Sequence, residues 1–149
     1  MADRYFTLDE VNAMVPGLTT RMNYVLQLHG HLRATCRSLV LQGLRVTPES
    51  LARGERIDAE GKARLRVAHA RGIHDAVRDA MAAIEAMGGV IKDVEQGLVD
   101  FPSWLEGENS VLLCWKIGES RVDWYHDSDA GFGARKNVAG CRFMSRQLE

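Results

Sequence analysis

Five histidines, at positions 29, 31, 69, 74 and 126, supply the side chain most often used to hold catalytic transition metals, and three of them fall where apolar residues are expected. His29 stands between Val25 and Leu32, His69 between Leu65 and Ile73, and His126 closes the run RVDWYH. A neutral imidazole offers a nitrogen lone pair to zinc, iron or copper, so His29, His69 and His126 are the candidate ligands of a buried metal centre. Asp100, set in the apolar run LVDF, is the first carboxylate to complete it as ligand or base, with Asp93 or Asp127 behind it. Given an open coordination position, such a centre acidifies bound water or binds dioxygen, the chemistry of a hydrolase or an oxygenase acting on a small organic substrate. Two other readings stay open. A histidine on an apolar stripe also serves as a hydrogen-bonded core residue, and a single histidine in an apolar gap can hold haem as an axial ligand.

The elements that must position these groups begin at Thr7-Leu8-Asp9-Glu10, where Thr7 and Glu10 have the spacing of a capping box. From there Val11, Met14, Val15, Leu18, Met22, Val25, Leu32, Cys36, Leu39 and Val40 recur at helical steps, which predicts a helix to about Gly43. Pro16 lacks an amide donor and predicts a kink or short break near Ala13 to Pro16. Residues 44–57, with Pro48 and Gly54, read as a connection. A second helix is predicted from Asp58 to Met87, with Leu65, Ile73, Val77, Ala80 and Ile84 inward and Gly88-Gly89 as its stop. Antiparallel pairing would set His29 opposite a position near Ile73, one turn from His69. His31 and His74 leave these stripes and read as surface residues, although a slip in register would let His74 replace His69.

Beyond Gly89 the helical repeat gives way to alternation. Val90-Ile91 and Leu98–Phe101 read as short strands, with Pro102 blocking further pairing. VLLCWKI at 111–117 and RVDWYH at 121–126 flank Gly118-Glu119-Ser120 as a hairpin. A two-residue loop would set Trp115 opposite Val122, Leu113 opposite Trp124 and Val111 opposite His126. The expected fold is α+β, one domain over 1–149: a long antiparallel helical hairpin at about 7–88, packed with a small antiparallel sheet and a C-terminal loop at about 89–149.

Composition narrows the partners. With 19 Lys and Arg against 20 Asp and Glu, no excess of positive charge recruits nucleic acid or an anionic membrane. No apolar run approaches the roughly 20 residues of a membrane helix, and MADRYFTLDEVNAM has no secretory pattern, so a cytoplasmic location is expected. Cys36, Cys114 and Cys141 are too few and too scattered for a disulfide framework or a zinc ribbon, and Cys36 and Cys114 read as small apolar residues.

LVDFP at 98–102, LLCW at 112–115, Gly118-Glu119, WYH at 124–126, AGFGAR at 130–135 and FTLDEVNAMVP at 6–16 together resemble the bacterial domain of unknown function 2203 family. The resemblance covers most of the chain and implies a small bacterial cytosolic protein without a settled activity. It also implies family positions at Asp93, Asp100, Trp115, Glu119, His126 and Arg135, and none at His29 or His69.

The remaining polar groups have ordinary readings beside functional ones. Trp115 and Trp124 form a packing pair that could also wall a cofactor pocket. DAGFGAR could form an anion-binding concavity helped by Arg135, or a loop docking Phe132 on the core. Glu119 reads as a solvated turn residue rather than a base. Arg64, Arg66, Arg71 and Arg78 could line a basic strip on the second helix, but the acids between them favour solvated faces. The leading function is therefore a metal-binding protein, an enzyme on a small-molecule ligand. A non-catalytic module that assembles as a homodimer, or a haem protein, is the alternative.

Overall fold

Thr7 and Glu10 form the predicted reciprocal cap: Thr7 N donates to Glu10 Oε1 at 2.9 Å, and Glu10 N donates to Thr7 Oγ1 at 3.1 Å. The computed structural model describes residues 4–107, 110–129 and 134–145. From this cap runs α1, Leu8–Leu41, followed by α2, Pro48–Ala52, and α3, Gly61–Glu85. Among the described residues six strands follow: β1 Val90–Asp93, β2 Leu98–Leu105, β3 Ser110–Lys116, β4 Trp124–Asp127, β5 Lys136–Asn137 and β6 Phe143–Met144. The fold is α+β. No helix among the described residues is long and apolar enough to cross a membrane.

Pro16 does not break α1. Val15 and Leu18 on either side of it are buried while the proline is exposed, so packing carries the helix across the missing hydrogen bond. Residues 44–57 likewise hold more structure than a connection. Thr47 caps α2 by accepting from Ser50 N, the Ser50 hydroxyl lies 3.0 Å from Thr47 N, and Pro48 sits in the first turn, where its lack of a donor is harmless.

The chain divides into two compact units, Tyr24–Ala82 on one hand and Met1–Asn23 with Ala83–Glu149 on the other. The first has a wholly apolar core of Leu32, Cys36, Leu39, Val46, Leu51, Val67, Ala70, Ile73 and Val77. Along α3 the buried stripe runs through Val67, Ala70, Ile73, Val77 and Ala80. Leu65, expected inward, is instead 72% exposed, as is Val40 of α1 at 52%. Leu65 lies a little over half a turn from Val67, enough to rotate it out of the seam.

In the second unit the antiparallel sheet has the order β1-β2-β3-β4-β5, with β6 also pairing with β2. β2 continues through Pro102 to Leu105, contrary to the expected stop. β1 pairs with β2 only as far as Asp100, and β6 begins at Trp104, so neither strand lies beside Pro102 on that edge. Phe6 fills the interval, donating its N–H to Pro102 O at 2.8 Å. In a strand a residue's N and C=O point to the same side, so the proline's missing donor faces this interval and β3 loses no bond. The Phe6 ring meets Phe101 edge to face at 5.6 Å, and Ser103 Oγ donates to Phe6 O. Gly88 makes this approach possible: its φ is +102°, and a Cβ there would lie 2.3 Å from Phe6 Cζ.

Candidate metal centre

The pairing of three adjacent strands decides which side chains share a face. β2 and β3 set Asp100 opposite Cys114 and Pro102 opposite Leu112. β3 and β4 set Cys114 opposite Trp124 and Leu112 opposite His126. Asp100, Cys114, Trp124 and His126 therefore lie on one face, while Val99, Phe101, Leu113, Trp115 and Tyr125 alternate onto the other. This register differs by one residue from that of a two-residue hairpin. The connection between β3 and β4 is longer, because Glu119 folds back: Lys116 N donates to Glu119 Oε1 at 2.7 Å, and Trp115 Nε1 donates to Glu119 O at 2.9 Å. A one-residue slip moves every side chain of a strand to the opposite face, so His126 leaves the side of Leu113 and Trp115 and joins Cys114.

On that face three ligand-bearing side chains converge. Asp100, Cys114 and His126 are 2%, 1% and 3% exposed, and one ligand atom from each lies within 4.8 Å of the other two. His126 Nδ1–H donates to Asp127 O at 2.9 Å, which turns Nε2 toward Asp100 Oδ2 at 3.1 Å. This is hydrogen-bond distance, the donor and acceptor roles being set by the imidazole tautomer. The Cys114 thiol hydrogen-bonds to Asp100. Burial, reinforced by that carboxylate, pushes the thiol up to about 12, while Arg135 opposes the rise. Cys114 is thus a protonated thiol rather than a ready nucleophile.

Around the centre, Arg135 Nη1 lies 3.7 Å from Glu119 Oε2, and the guanidinium carbon lies 5.0 Å from the Trp124 ring centroid. Glu119 is a partly buried bridge between the turn and Arg135, not a solvated turn residue. Trp115 and Trp124 stand on opposite faces and so do not wall one pocket from the same side. Of the glycine-rich loop, residues 130–133 lie outside the described residues, including Phe132 and the proposed concavity.

Residues 4–138 match a protein family described as an uncharacterized conserved protein, DUF2203. The chain belongs to the DUF2203 family. No curated protein and no solved structure matches it.

Of the sequence-derived site residues in this DUF2203 member, the structure brings together His126 and Asp100. The expected meeting of His29 with His69 is corrected. His29 is partly buried at the margin of its stripe, and His69 is exposed, on the outward arc it shares with Leu65. It is His31 that lies against His69, the ring centroids 5.7 Å apart. His74, the possible replacement, pairs with Asp75. Asp93 accepts from Gln96 in the turn after β1, and Asp127 contributes its carbonyl to His126 while its carboxylate faces Lys136. Cys114 was the residue missed. Its signal lay in the alternation of LLCW, which sets it opposite LVD once the register is right, but burial alone made a small apolar role the simpler reading.

Proposed function

We propose that this DUF2203 protein is a metal-binding protein whose ion is held by Asp100, Cys114 and His126. The observation that carries the reading is the convergence of these three buried ligand types from three strands on one face. Two further features support it. His126 donates Nδ1–H to a backbone carbonyl, the usual orienting contact of a metal-bound histidine, and so offers Nε2 as the ligand. A carboxylate and a thiolate together balance a divalent charge, which favours zinc or iron at a mixed nitrogen, oxygen and sulfur set. With both ring nitrogens of His126 engaged, a small ion between Nε2 and the carboxylate suits the site better than haem does.

Three protein ligands leave a tetrahedral ion one position for water or substrate, so a hydrolase or oxygenase acting on a small organic molecule is the enzymatic form of this proposal. Trp124 and Arg135 would border that position and orient an aromatic or anionic group. A cytoplasmic location suits the three free cysteines.

Cobalt titration of chelator-stripped, tag-free protein tests the centre. One equivalent should bind with a thiolate-to-cobalt charge-transfer absorption. Cys114→Ser should abolish that absorption, and His126→Ala should weaken binding at least about tenfold. His29→Ala and His69→Ala should leave both signals intact. Absence of stoichiometric binding, or binding indifferent to Cys114 and His126, overturns the proposal.

A second reading, assembly with another copy, is favoured by exposed apolar groups in the Tyr24–Ala82 unit, Leu41 at 88% and Leu65 at 72%. Sedimentation of wild type against Leu41→Ser/Leu65→Ser tests it. A dimer that the substitutions dissociate supports assembly, and a monomer at every concentration excludes it.

A further inference from the structure

We propose that the Tyr24–Ala82 unit carries a second site, for a phosphate-bearing anion, in the hollow between the end of α2 and the middle of α3. It is built from residues independent of the metal centre. The hollow has a volume of about 350 Å³ and is lined by Leu51, Arg53, Arg71, His74, Asp75 and Arg78, among others. Arg71, His74 and Arg78 stand at helical spacings that keep them on one side of α3, and Arg53 enters from the end of α2. Three guanidinium groups against the carboxylate of Asp75 leave an excess of two positive charges on the wall. Glu55 pairs with Arg53 from outside the lining and reduces that excess without cancelling it.

The guanidinium groups are held but not used up. Arg71 Nη2 donates to Glu55 O at 2.7 Å, Arg53 Nε pairs with Glu55, and Arg78 Nη2 lies 3.6 Å from Asp75 Oδ1. Each guanidinium has five N–H donors, so one contact apiece leaves donors for a ligand. His74 is 18% exposed and stands on the same side, its Nδ1 3.5 Å from Asp75 Oδ1. Several planar donor forks around a hollow of this size match a tetrahedral dianion better than a single carboxylate, because phosphate offers oxygens in several directions. Four of the six residues named are chargeable bases, although the helix as a whole carries acids enough to look like a solvated face.

The test is titration of inorganic phosphate into chelator-treated protein at constant ionic strength, followed by amide NMR shifts, with chloride as the control anion. Saturable shifts confined to residues near 51–54 and 71–78 are expected. Arg53→Gln/Arg78→Gln should lower affinity by at least about tenfold, since each lost contact is a charge-assisted hydrogen bond. Arg71→Lys should also weaken binding, because it keeps the charge and loses the fork. Arg64→Gln, on the same helix but outside the hollow, should change nothing. Tighter binding of glycerol phosphate than of inorganic phosphate identifies an ester as the natural ligand class, and the reverse order identifies the free ion. Unsaturating shifts shared with chloride, or equal weakening by Arg64→Gln, overturn the site. A failed cobalt titration leaves this test untouched.

Discussion

Cys36 and Cys114 are buried to nearly the same extent in two different kinds of interior. Cys36 packs among Leu32, Leu39, Val67 and their neighbours in the helical unit, whereas Cys114 stands beside Asp100 and His126 in the sheet unit. Burial raises both thiols, helped for Cys36 by the charge of Glu49 and for Cys114 by the charge of Asp100 and a hydrogen bond to it. The comparison teaches that burial alone does not say what a buried cysteine does. The helical interior is built of apolar side chains, with the buried Ser50 satisfied by its contacts to Thr47, and gains stability by excluding water. The sheet interior keeps three polar groups that satisfy one another, and such a cluster is valuable only while complete.

The sharpest way to break this comparison is to remove one member of the cluster. Asp100→Ala should destabilise the protein by about 3–5 kcal/mol in urea unfolding, because it strands His126 Nε2 and the Cys114 thiol in a dry site. Asp100→Asn keeps the shape, so it should recover part of that loss and still fail to bind cobalt with normal affinity. In the apolar unit, Leu39→Ala should cost about 3 kcal/mol by leaving a cavity and should not alter cobalt affinity. A Leu39→Ala protein that loses its cobalt spectrum would break the contrast between the two kinds of interior. Gly88→Ala should cost about 2 kcal/mol, since it combines a left-handed backbone with a collision against Phe6. Recovery of stability in Gly88→Ala/Phe6→Leu would identify that ring as the cause.

Capping effects should be smaller. Thr47→Ala removes the acceptor for Ser50 N and should cost about 1 kcal/mol in thermal or urea unfolding. The smallest effect is at Glu10, whose carboxyl is held below its ordinary value of 4.5 chiefly by the Thr7 backbone N–H, with Arg4 adding to this. Its folded value is depressed, so its contribution is full above pH about 4.5 and disappears as pH falls through the lower folded value. Glu10→Gln should therefore narrow the gap from wild type as the pH is taken down through that window. A gap that widens on acidification would contradict the sign.

The helices were legible because their burial follows the repeat of one chain segment: Val11, Val15, Leu18, Met22, Leu32 and Leu39 all went inside as their spacing required. Leu65 and His69 were misplaced because α3 presents several apolar residues around its circumference, and only contact with its neighbours selects the arc from Val67 to Ala80. The site was legible as residue types, in that Asp100 and His126 were both singled out, but not as a constellation. Cys114 joins them only through strand pairing, and the pairing depends on how Glu119 lengthens the turn. One residue of register separates a histidine facing Val111 from a histidine facing Asp100, and no pattern within a single strand records it.

The hydrogen bonds between Phe6 and Pro102–Ser103 have a consequence for the order of assembly. The stretch from Tyr24 to Ala82 is continuous, so its partners are all present once that stretch has been synthesised. The sheet unit must instead wait for residues nearly 100 positions downstream of Phe6. Until β2 has been made the phenylalanine ring has no berth, whereas the core around Leu39 needs nothing from outside its own stretch.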